Sequence, residues 1–181
     1  MSSIEPVKVG NLKGIKIEEI LLDCEKHNVP GDLFIRVLSH VPGYAENLYN
    51  AMKQSFYIGN VSHKLKELIR IQLSYRSEDI YSQNLRSKLA QQEGLTEEDI
   101  NSACGDFENC QRFNDDEKWA LRFSYLMYRD PKKIDSVFYE NGKKFFTEAQ
   151  IMEIGSFVAL HYGLQVFMRT INLGLVQENL Q

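Results

Sequence analysis

The sequence predicts an all-α protein, and three observations carry that prediction. Apolar residues recur at the three- and four-residue spacing that gathers them on one face of a helix, as in the run from Leu65 to Leu73. No run of Val, Ile or Thr alternates with the period of two that a half-buried strand requires. Only four prolines occur in 181 residues, so few points interrupt a helix. We therefore expect about eight helices and no sheet.

Length and composition favour one globular domain. The chain has 181 residues, 43% of them hydrophobic and 25% charged, with a net charge of −4, which is typical of water-soluble domains. No Lys/Arg-rich tract indicates a nucleic-acid partner. The longest apolar run with almost no charge, Ile154 to Leu164, is too short to cross a bilayer. Because the first residues also lack the apolar segment of a secretory signal, we expect a cytoplasmic protein without a membrane partner.

The cysteine pattern indicates free thiols. Cys24, Cys104 and Cys110 form no Cys-x-x-Cys pair, and an odd number of cysteines without a secretory signal argues against a disulfide framework. The spacing from Cys104 to Cys110 fits no set of zinc ligands, and no histidine cluster completes one. We therefore expect neither a metal nor an organic cofactor.

Turn and cap signals divide the N-terminal half into short helices. Residues 1–31 are expected to form an extended arm and a first helix, over about Ile17 to Lys26, that ends before the Val29-Pro30-Gly31 turn. The helical domain is expected to cover residues 32–181. Its first helices are predicted to begin after a cap at Asp32, at about Tyr44, after a cap at Ser62, and after a cap at Asp79, the last of these running to a C-cap at Gly94.

Capping boxes mark two helices of the C-terminal half. Thr96-Glu97-Glu98-Asp99 is close to the capping-box pattern, and Thr147-Glu148-Ala149-Gln150 matches it in full. The second box opens a long helix to about Asn172 that is apolar on most sides, so we expect it at the centre of the protein or in a subunit interface. Between the two boxes we predict a polar loop over residues 105–114, an amphipathic helix around Trp119 that ends before Pro131, and a helix from Asp135 to about Gly142.

Three stretches agree in order and spacing with a known family from about residue 32 to residue 175. They are FIRVLSHVP at 34–42, LKELIR at 65–70 continuing to QEGLTEEDI at 92–100, and DEKWALRF at 116–123 followed by FTEAQI at 146–151 and ALHYGL at 159–164. Together they resemble the carboxymuconolactone decarboxylase / AhpD-like family. The resemblance implies an all-α fold that assembles into homo-oligomers, either trimers or hexamers.

The resemblance also indicates where the active site should lie. Redox members of the family carry a Glu and then Cys-x-x-Cys-x-x-x-His at the start of the next helix. The Glu corresponds here to Glu67, while Asp79, Ser82 and Arg86 stand at the positions of the two Cys and the His. A disulfide mechanism needs a thiolate pair, so it cannot run at this site. The decarboxylase branch of the family carries His-Glu-x-x-x-His on the same helix, and a further branch carries Tyr-Glu-x-x-x-His. Of these residues, this sequence keeps only the Tyr of the second pattern, as Tyr81.

The altered positions suggest acid/base chemistry on an anion. Asp79, Ser82 and Arg86 are spaced i, i+3, i+7 and share one stripe of a helix. With the family's geometry, Glu67 faces this stripe across a pocket, where shielding from water raises the pKa of a carboxyl and suits it to act as acid or base. Arg86 would bind a carboxylate or another anion.

The remaining candidates complete the predicted site. Tyr81 would donate a proton, Ser82 would orient the substrate, and His161 with Tyr162 would line the pocket. Each position also has a structural interpretation. These are an N-cap for Asp79, an ion pair between Glu67 and Arg86, a core position for Tyr81, and a hydrogen-bonded core or interface position for His161.

Three functions remain open from the sequence. The first is a cofactor-independent, lyase- or isomerase-like enzyme that decarboxylates, isomerises or cyclises a small anionic metabolite, with Glu67 as acid/base and Arg86 as anion clamp. The second is a peroxide- or disulfide-related antioxidant protein that uses Cys104 and Cys110. The third is a non-catalytic, oligomeric binding or scaffold protein. We favour the enzyme because Glu67 is retained close to a new cation.

Overall fold

Helices make up the regular structure of this protein. The computed structural model describes residues 2–173, and no strand occurs among them, so the all-α prediction is confirmed. One-turn 3-10 helices lie at Val9–Leu12 and Pro131–Lys133. The α-helices are α1 (Lys16–His27), α2 (Asp32–Leu38), α3 (Pro42–Tyr57), α4 (His63–Arg76), α5 (Ile80–Asn84), α6 (Lys88–Gln92), α7 (Glu97–Cys104), α8 (Asp115–Arg129), α9 (Ser136–Gly142) and α10 (Glu148–Thr170).

Helix α4 is the centre of the fold. It packs against α3, α5, α6, α7, α8 and α10, so its polar residues are buried together with its apolar ones. Lys66, Glu67 and Arg70 are all less than 4% exposed, at 1%, 0% and 3%. Buried charges are tolerated when they are paired. Lys66 lies 2.6 Å from Glu153 of α10, and Glu67 lies 2.6 Å from Arg70.

Helix α10 is central, as its apolar sequence predicts. It packs against α3, α4, α5 and α8, and Ile154, Phe157 and Val158 are completely buried. The helix spans 23 residues with a mean hydropathy of 1.3, so by length and composition it meets the criteria for a membrane span. Core helices of water-soluble proteins meet the same criteria. The helix that meets these criteria, Glu148–Thr170, is longer than the apolar run from Ile154 to Leu164 that the sequence analysis judged too short to cross a bilayer.

Most of the predicted caps are present. The side chains of Ser62, Thr96, Asp135 and Thr147 each accept a hydrogen bond from the third residue of the helix that follows. Thr96 and Thr147 form complete capping boxes with Asp99 and Gln150. Asp32 differs from its prediction because it is the first residue of α2, and Gly31 occupies the N-cap position.

The predicted helix from Asp79 to Gly94 is wrong, because the chain breaks between α5 and α6. Leu85 is extended, with φ −81° and ψ 142°. Its carbonyl accepts from Arg70 Nη2 at 2.8 Å, and the N–H of Ser87 donates to Glu67 Oε1 at 2.8 Å. Peptide groups that would close helical turns are therefore bonded to the ion pair of α4. The predicted end near Gly94 is confirmed, since its φ of +86° lets the chain reverse.

The N-terminal segment packs onto the helical domain. Helix α1 contacts α2 and α3, and Ile17, Ile20 and Cys24 join a small apolar cluster with Ile35. The expected extended arm is wrong in part, because its end forms a 3-10 turn. Burial of Leu12, which is 3% exposed, holds that turn against α1.

Candidate active site

Two cavities meet at Tyr81. The outer cavity has a volume of about 550 Å³ and lies between the N-terminal segment and the α5–α6 region. The inner cavity has a volume of about 20 Å³ and lies beneath Tyr81, between α2, α4 and α10. Its apolar walls include Phe34 and Met52, and its polar lining comprises Arg70, Tyr81, Ser82, His161 and Gln165. Tyr81 and Leu85 line both cavities and separate them.

The inner cavity brings together three of the residues that the sequence singled out. Tyr81 and Ser82 reach it from α5, and His161 reaches it from the middle of α10. The other three, Glu67, Arg86 and Tyr162, lie elsewhere. Two polar lining residues, Arg70 and Gln165, were not predicted. Arg70 stands three residues after Glu67, which is the spacing of a helical ion pair and was the available signal.

Glu67 lies behind Arg70 and is fully engaged. Its Oε2 accepts from Arg70 Nε at 2.6 Å, and its Oε1 accepts from Arg70 Nη2 at 2.9 Å and from the Ser87 N–H at 2.8 Å. Arg70 Nη1 also donates to the carbonyl of Ser82 at 3.0 Å. The expectation that Glu67 faces an anion-binding pocket is therefore wrong. Glu67 is shielded from water as predicted, but as one half of a buried ion pair.

Arg86 does not share a stripe with Ser82. The break after α5 turns its side chain toward α7, where Nε and Nη2 donate to the carboxylate of Glu97 at 2.8 and 3.0 Å. Arg86 does not line the inner cavity. The geometry expected of an anion clamp, with Arg86 opposite Glu67, is wrong because it required one continuous helix from Asp79 onward.

His161 is a buried and neutral imidazole. Its side chain is 3% exposed, and Nε2 lies 3.4 Å from Ser55 Oγ. The Ser55 hydroxyl also lies 3.1 Å from the Met52 carbonyl, and a neutral imidazole keeps one nitrogen as a donor and the other as an acceptor. Burial lowers the pKa of His161 to about 3, with a further contribution from the positive charges of Arg70 and Lys66.

Tyr81 presents a neutral phenol to the cavity. Its Oη accepts from the Phe34 N–H at 3.4 Å, which leaves the phenolic proton available to a ligand. Burial raises the pKa of Tyr81 well above its ordinary value, and the negative charge of Asp32 adds to the effect. A Cβ at Gly31 would overlap the Tyr81 hydroxyl, so only glycine leaves room for the ring in this position.

Gln165 directs an unsatisfied acceptor into the buried region. Its Nε2 donates to the Arg70 carbonyl at 3.0 Å, which fixes the orientation of the amide. Its Oε1 is buried and has no hydrogen-bond partner among the described residues. Leaving such an acceptor unpaired costs about 1–3 kcal/mol. The inner cavity is large enough for one water, so a bound water or a ligand donor can satisfy this oxygen.

Tyr162 and Asp79 lie away from the inner cavity. Tyr162 stacks on Tyr128 with ring centroids 3.7 Å apart and lines a groove beside α8, because adjacent residues of a helix point in different directions. Asp79 occupies the N-cap position of α5 but makes no side-chain cap hydrogen bond. It is 1% exposed, its Oδ2 has no partner among the described residues, and burial raises its pKa.

The cysteines are free thiols away from the inner cavity. Burial raises the pKa of Cys104 to about 11 and that of Cys24, which lines the outer cavity, to about 12. The pKa of Cys110 is lowered, first by the Arg112 N–H, which lies 3.5 Å from its sulfur. Burial of Cys104 thus opposes the thiolate that the antioxidant hypothesis needs. Within residues 2–173, no three His, Cys, Asp or Glu side chains cluster closely enough to hold a metal ion.

Comparison with solved structures identifies the fold as AhpD-like. A cysteine variant of the debrominase Bmp8 in complex with 2,3,4-tribromopyrrole has a TM-score of 0.79 at 16% identity, over 93% of this chain and 89% of that chain. The apo debrominase Bmp8 has a TM-score of 0.78 at 17% identity, over the same shares of 93% and 89%. An alkylhydroperoxidase AhpD core, an uncharacterized peroxidase-related protein from Ralstonia eutropha JMP134, has a TM-score of 0.74 at 11% identity, over 95% of this chain and 90% of that chain. No protein-family model and no curated protein matches the sequence.

Proposed function

We propose that this protein is a lyase- or isomerase-like enzyme that needs no metal or organic cofactor and transfers protons on a small uncharged molecule in the inner cavity. One observation carries the proposal. Tyr81, Ser82, His161 and Gln165 line one small cavity and supply hydrogen-bond donors and acceptors. Enclosed polar groups of this kind, set in apolar walls, are typical of small-molecule sites.

The charges around the cavity favour an uncharged substrate over the anion expected from the sequence. Arg70 is the charged residue of the lining, and Glu67 already neutralises it through two hydrogen bonds. His161 is neutral because burial keeps its pKa low. A carboxylate that entered this space would lose its hydration and gain no free cation in return.

The arrangement of donors and acceptors suggests a division of roles. Tyr81 and Ser82 polarise a carbonyl or hydroxyl oxygen of the substrate, which acidifies the adjacent C–H bond. The neutral imidazole of His161 accepts this proton through its lone pair and returns it to the substrate, and Gln165 Oε1 holds a substrate donor in place. General acid/base catalysis of this kind contributes about 10²–10⁴-fold. His161 is a weak base, so the chemistry depends on polarisation by Tyr81.

Substrate entry requires Tyr81 to move. The inner cavity of about 20 Å³ holds one water but no organic molecule. Tyr81 also borders the outer cavity of about 550 Å³, so its ring has space to swing outward. The complex of the debrominase with 2,3,4-tribromopyrrole supports the view that this fold can accommodate a small uncharged ring.

Proton exchange tests the proposal without knowledge of the natural substrate. A panel of small ketones and enones is incubated with the protein in D₂O, and deuterium incorporation is followed by NMR. We expect exchange above the buffer rate, reduced about 10²-fold or more in Tyr81→Phe and in His161→Gln. Tyr162→Phe is the matched control and should keep the wild-type rate. Buffer-level exchange for every compound, or equal rates in all variants, contradicts the proposal.

A binding protein without turnover is the second candidate. The low pKa of His161 favours it, because an imidazole that resists protonation is a weak base. The same NMR samples distinguish the two functions. Chemical-shift changes at saturating ketone without deuterium incorporation would indicate binding alone.

A further inference from the structure

The outer cavity has the dimensions of a small-molecule site. Its volume of about 550 Å³ falls within the range of about 300–1,000 Å³ that is usual for ligand pockets. One wall is α1 with the 3-10 turn before it, and the other is the α5–α6 region. Its charged lining residues Glu18, Glu25, Asp32 and Lys88 do not line the inner cavity, so ligand binding at these residues can be tested separately from the proposed function.

Apolar side chains form the walls of this cavity, and several have no cover. Leu22 is 63% exposed and Val9 is 50% exposed, and both line the cavity. Leu21, Tyr81 and Leu85 continue the apolar surface inward. A ligand with an apolar body would remove this surface from water, which contributes about 25 cal/mol per Å².

The charged residues of the cavity are mostly acidic. Glu18, Glu25 and Asp32 line it, against the single cation Lys88. The ammonium of Lys88 donates to the backbone carbonyl of Glu25 at 2.7 Å, so it is already engaged. Asp32 has a half-exposed carboxylate, 3.7 Å from Arg36.

The negative charge contributes to the raised pKa values of two groups that line the cavity, Cys24 and Tyr81. Burial is the first cause of the raised pKa of Cys24, and the carboxylates of Asp32 and Asp23 add to it. Burial is likewise the first cause for Tyr81, followed by Asp32. The negative charge of Asp32 therefore acts on groups that line the cavity, where it would attract a cation and repel an anion.

We propose that the outer cavity binds a small organic cation, a protonated amine whose apolar body lies along Leu21 and Leu22 and whose ammonium group lies at Glu18, on the same face of α1. The amine supplies what the cavity lacks, a positive charge among acidic lining residues and an apolar surface against uncovered leucines. Uncharged and anionic ligands of equal size are the competing occupants.

Three probes of one shape separate these occupants. Binding of 2-phenylethylammonium, 2-phenylethanol and 3-phenylpropanoate to the full chain is measured by calorimetry at low and high salt. We expect the amine to bind more tightly than the alcohol and the alcohol more tightly than the carboxylate. The advantage of the amine should shrink at high salt because counter-ions screen exposed charges. An alcohol that binds as tightly as the amine overturns the proposal, and so does failure of the amine to bind.

Neighbouring glutamates of α1 provide a matched pair of variants. Glu18 lines the cavity, whereas Glu19 does not and pairs with Lys16. Glu18→Gln should weaken amine binding about two- to fivefold, as expected for an exposed charge pair, and leave alcohol binding unchanged. Glu19→Gln should change neither. Leu22→Ala should weaken both ligands. Equal effects of Glu18→Gln and Glu19→Gln on the amine would show that overall charge, and not this cavity, selects it.

Discussion

Arg70 connects the buried ion pair to the inner cavity. Its guanidinium donates to both oxygens of Glu67 and to the carbonyls of Ser82 and Leu85. Its own carbonyl accepts from Gln165. The residue therefore fixes a cavity-lining turn on one side and a cavity-lining amide on the other. A planar guanidinium can hold this set of acceptors, whereas the flexible ammonium of a lysine cannot.

Removing the charge of Glu67 should destabilise the protein strongly. Glu67→Gln leaves Arg70 buried without its counter-ion, and breaking a buried pair in this way costs about 3–5 kcal/mol. Glu97→Gln is the matched control, because it breaks the exposed pair with Arg86 and should cost less than about 1 kcal/mol. Urea denaturation of both variants gives the two free energies. Similar losses of unfolding free energy in the two variants would show that the buried pair of Glu67 with Arg70 stabilises the protein no more than an exposed pair does.

His161 should make stability depend on pH. The pKa of His161 is about 3 in the folded protein, whereas its ordinary value is 6.5. Between pH 6.5 and 3 the imidazole is therefore protonated in the unfolded chain but neutral in the folded chain. The stabilisation is complete above pH 6.5 and is lost as pH falls toward 3, by about 1.4 kcal/mol per pH unit.

Urea denaturation at several pH values between 7 and 4 isolates the contribution of His161. His161→Gln removes one buried histidine and should reduce the pH dependence relative to wild type, while His63, whose pKa is also lowered by burial, contributes equally in both proteins. His40→Gln changes an exposed histidine and should leave the wild-type slope unchanged. If His161→Gln and wild type lose stability in parallel, the imidazole is not held neutral by burial.

Part of the candidate site was predictable from single residues. Tyr81, Ser82 and His161 meet at the inner cavity, and each lies on an element whose position the motif order determines. Arg86 was misplaced because its position depends on a chain break. That break is caused by contacts of Leu85 and Ser87 with α4, which are distant in sequence. Tertiary hydrogen bonds of this kind leave no periodic signal in the segment itself.

At the scale of elements, caps were predicted better than continuity. A capping box is a local interaction among four residues, so the sequence around Thr96 and Thr147 predicts the start of each helix directly. The break between α5 and α6 has a local sign as well, since Ser87 is an N-cap residue type. The helical spacing of Tyr81, Leu85 and Leu89, each one turn apart, favoured one long helix over a new helix start at Ser87.

Ser87 should matter more than an ordinary cap. Its Oγ accepts from the Ala90 N–H and also bonds to His63 Nε2 at 2.8 Å, and the residue is completely buried. Ser87→Ala removes the cap and leaves a buried imidazole nitrogen without a partner, at a cost of about 1–3 kcal/mol. Ser62→Ala removes only the exposed cap of α4, at about 1 kcal/mol. Urea denaturation should rank Ser87→Ala as the more destabilising, and the reverse order would refute the role given to Ser87.

At the scale of the whole molecule, one surface groove is lined by several tyrosine side chains. Tyr75 and Tyr128 line the groove that contains Tyr162, and they are 45% and 41% exposed. Aromatic residues are enriched at the centres of protein interfaces. We propose that this face is where copies of the chain meet in the homo-oligomer expected from the sequence.

Light scattering coupled to gel filtration tests that proposal. We expect a mass of three or six times the 21.0 kDa of one chain, in line with the trimer or hexamer implied by the family resemblance. Tyr128→Ala removes an exposed ring and its stacking partner for Tyr162, so it should shift the protein toward smaller species. Tyr44→Ala is the matched control, because Tyr44 is 68% exposed on α3 and outside the groove. A wild-type protein that elutes as a monomer, or equal dissociation of the two variants, would rule out this face as the interface.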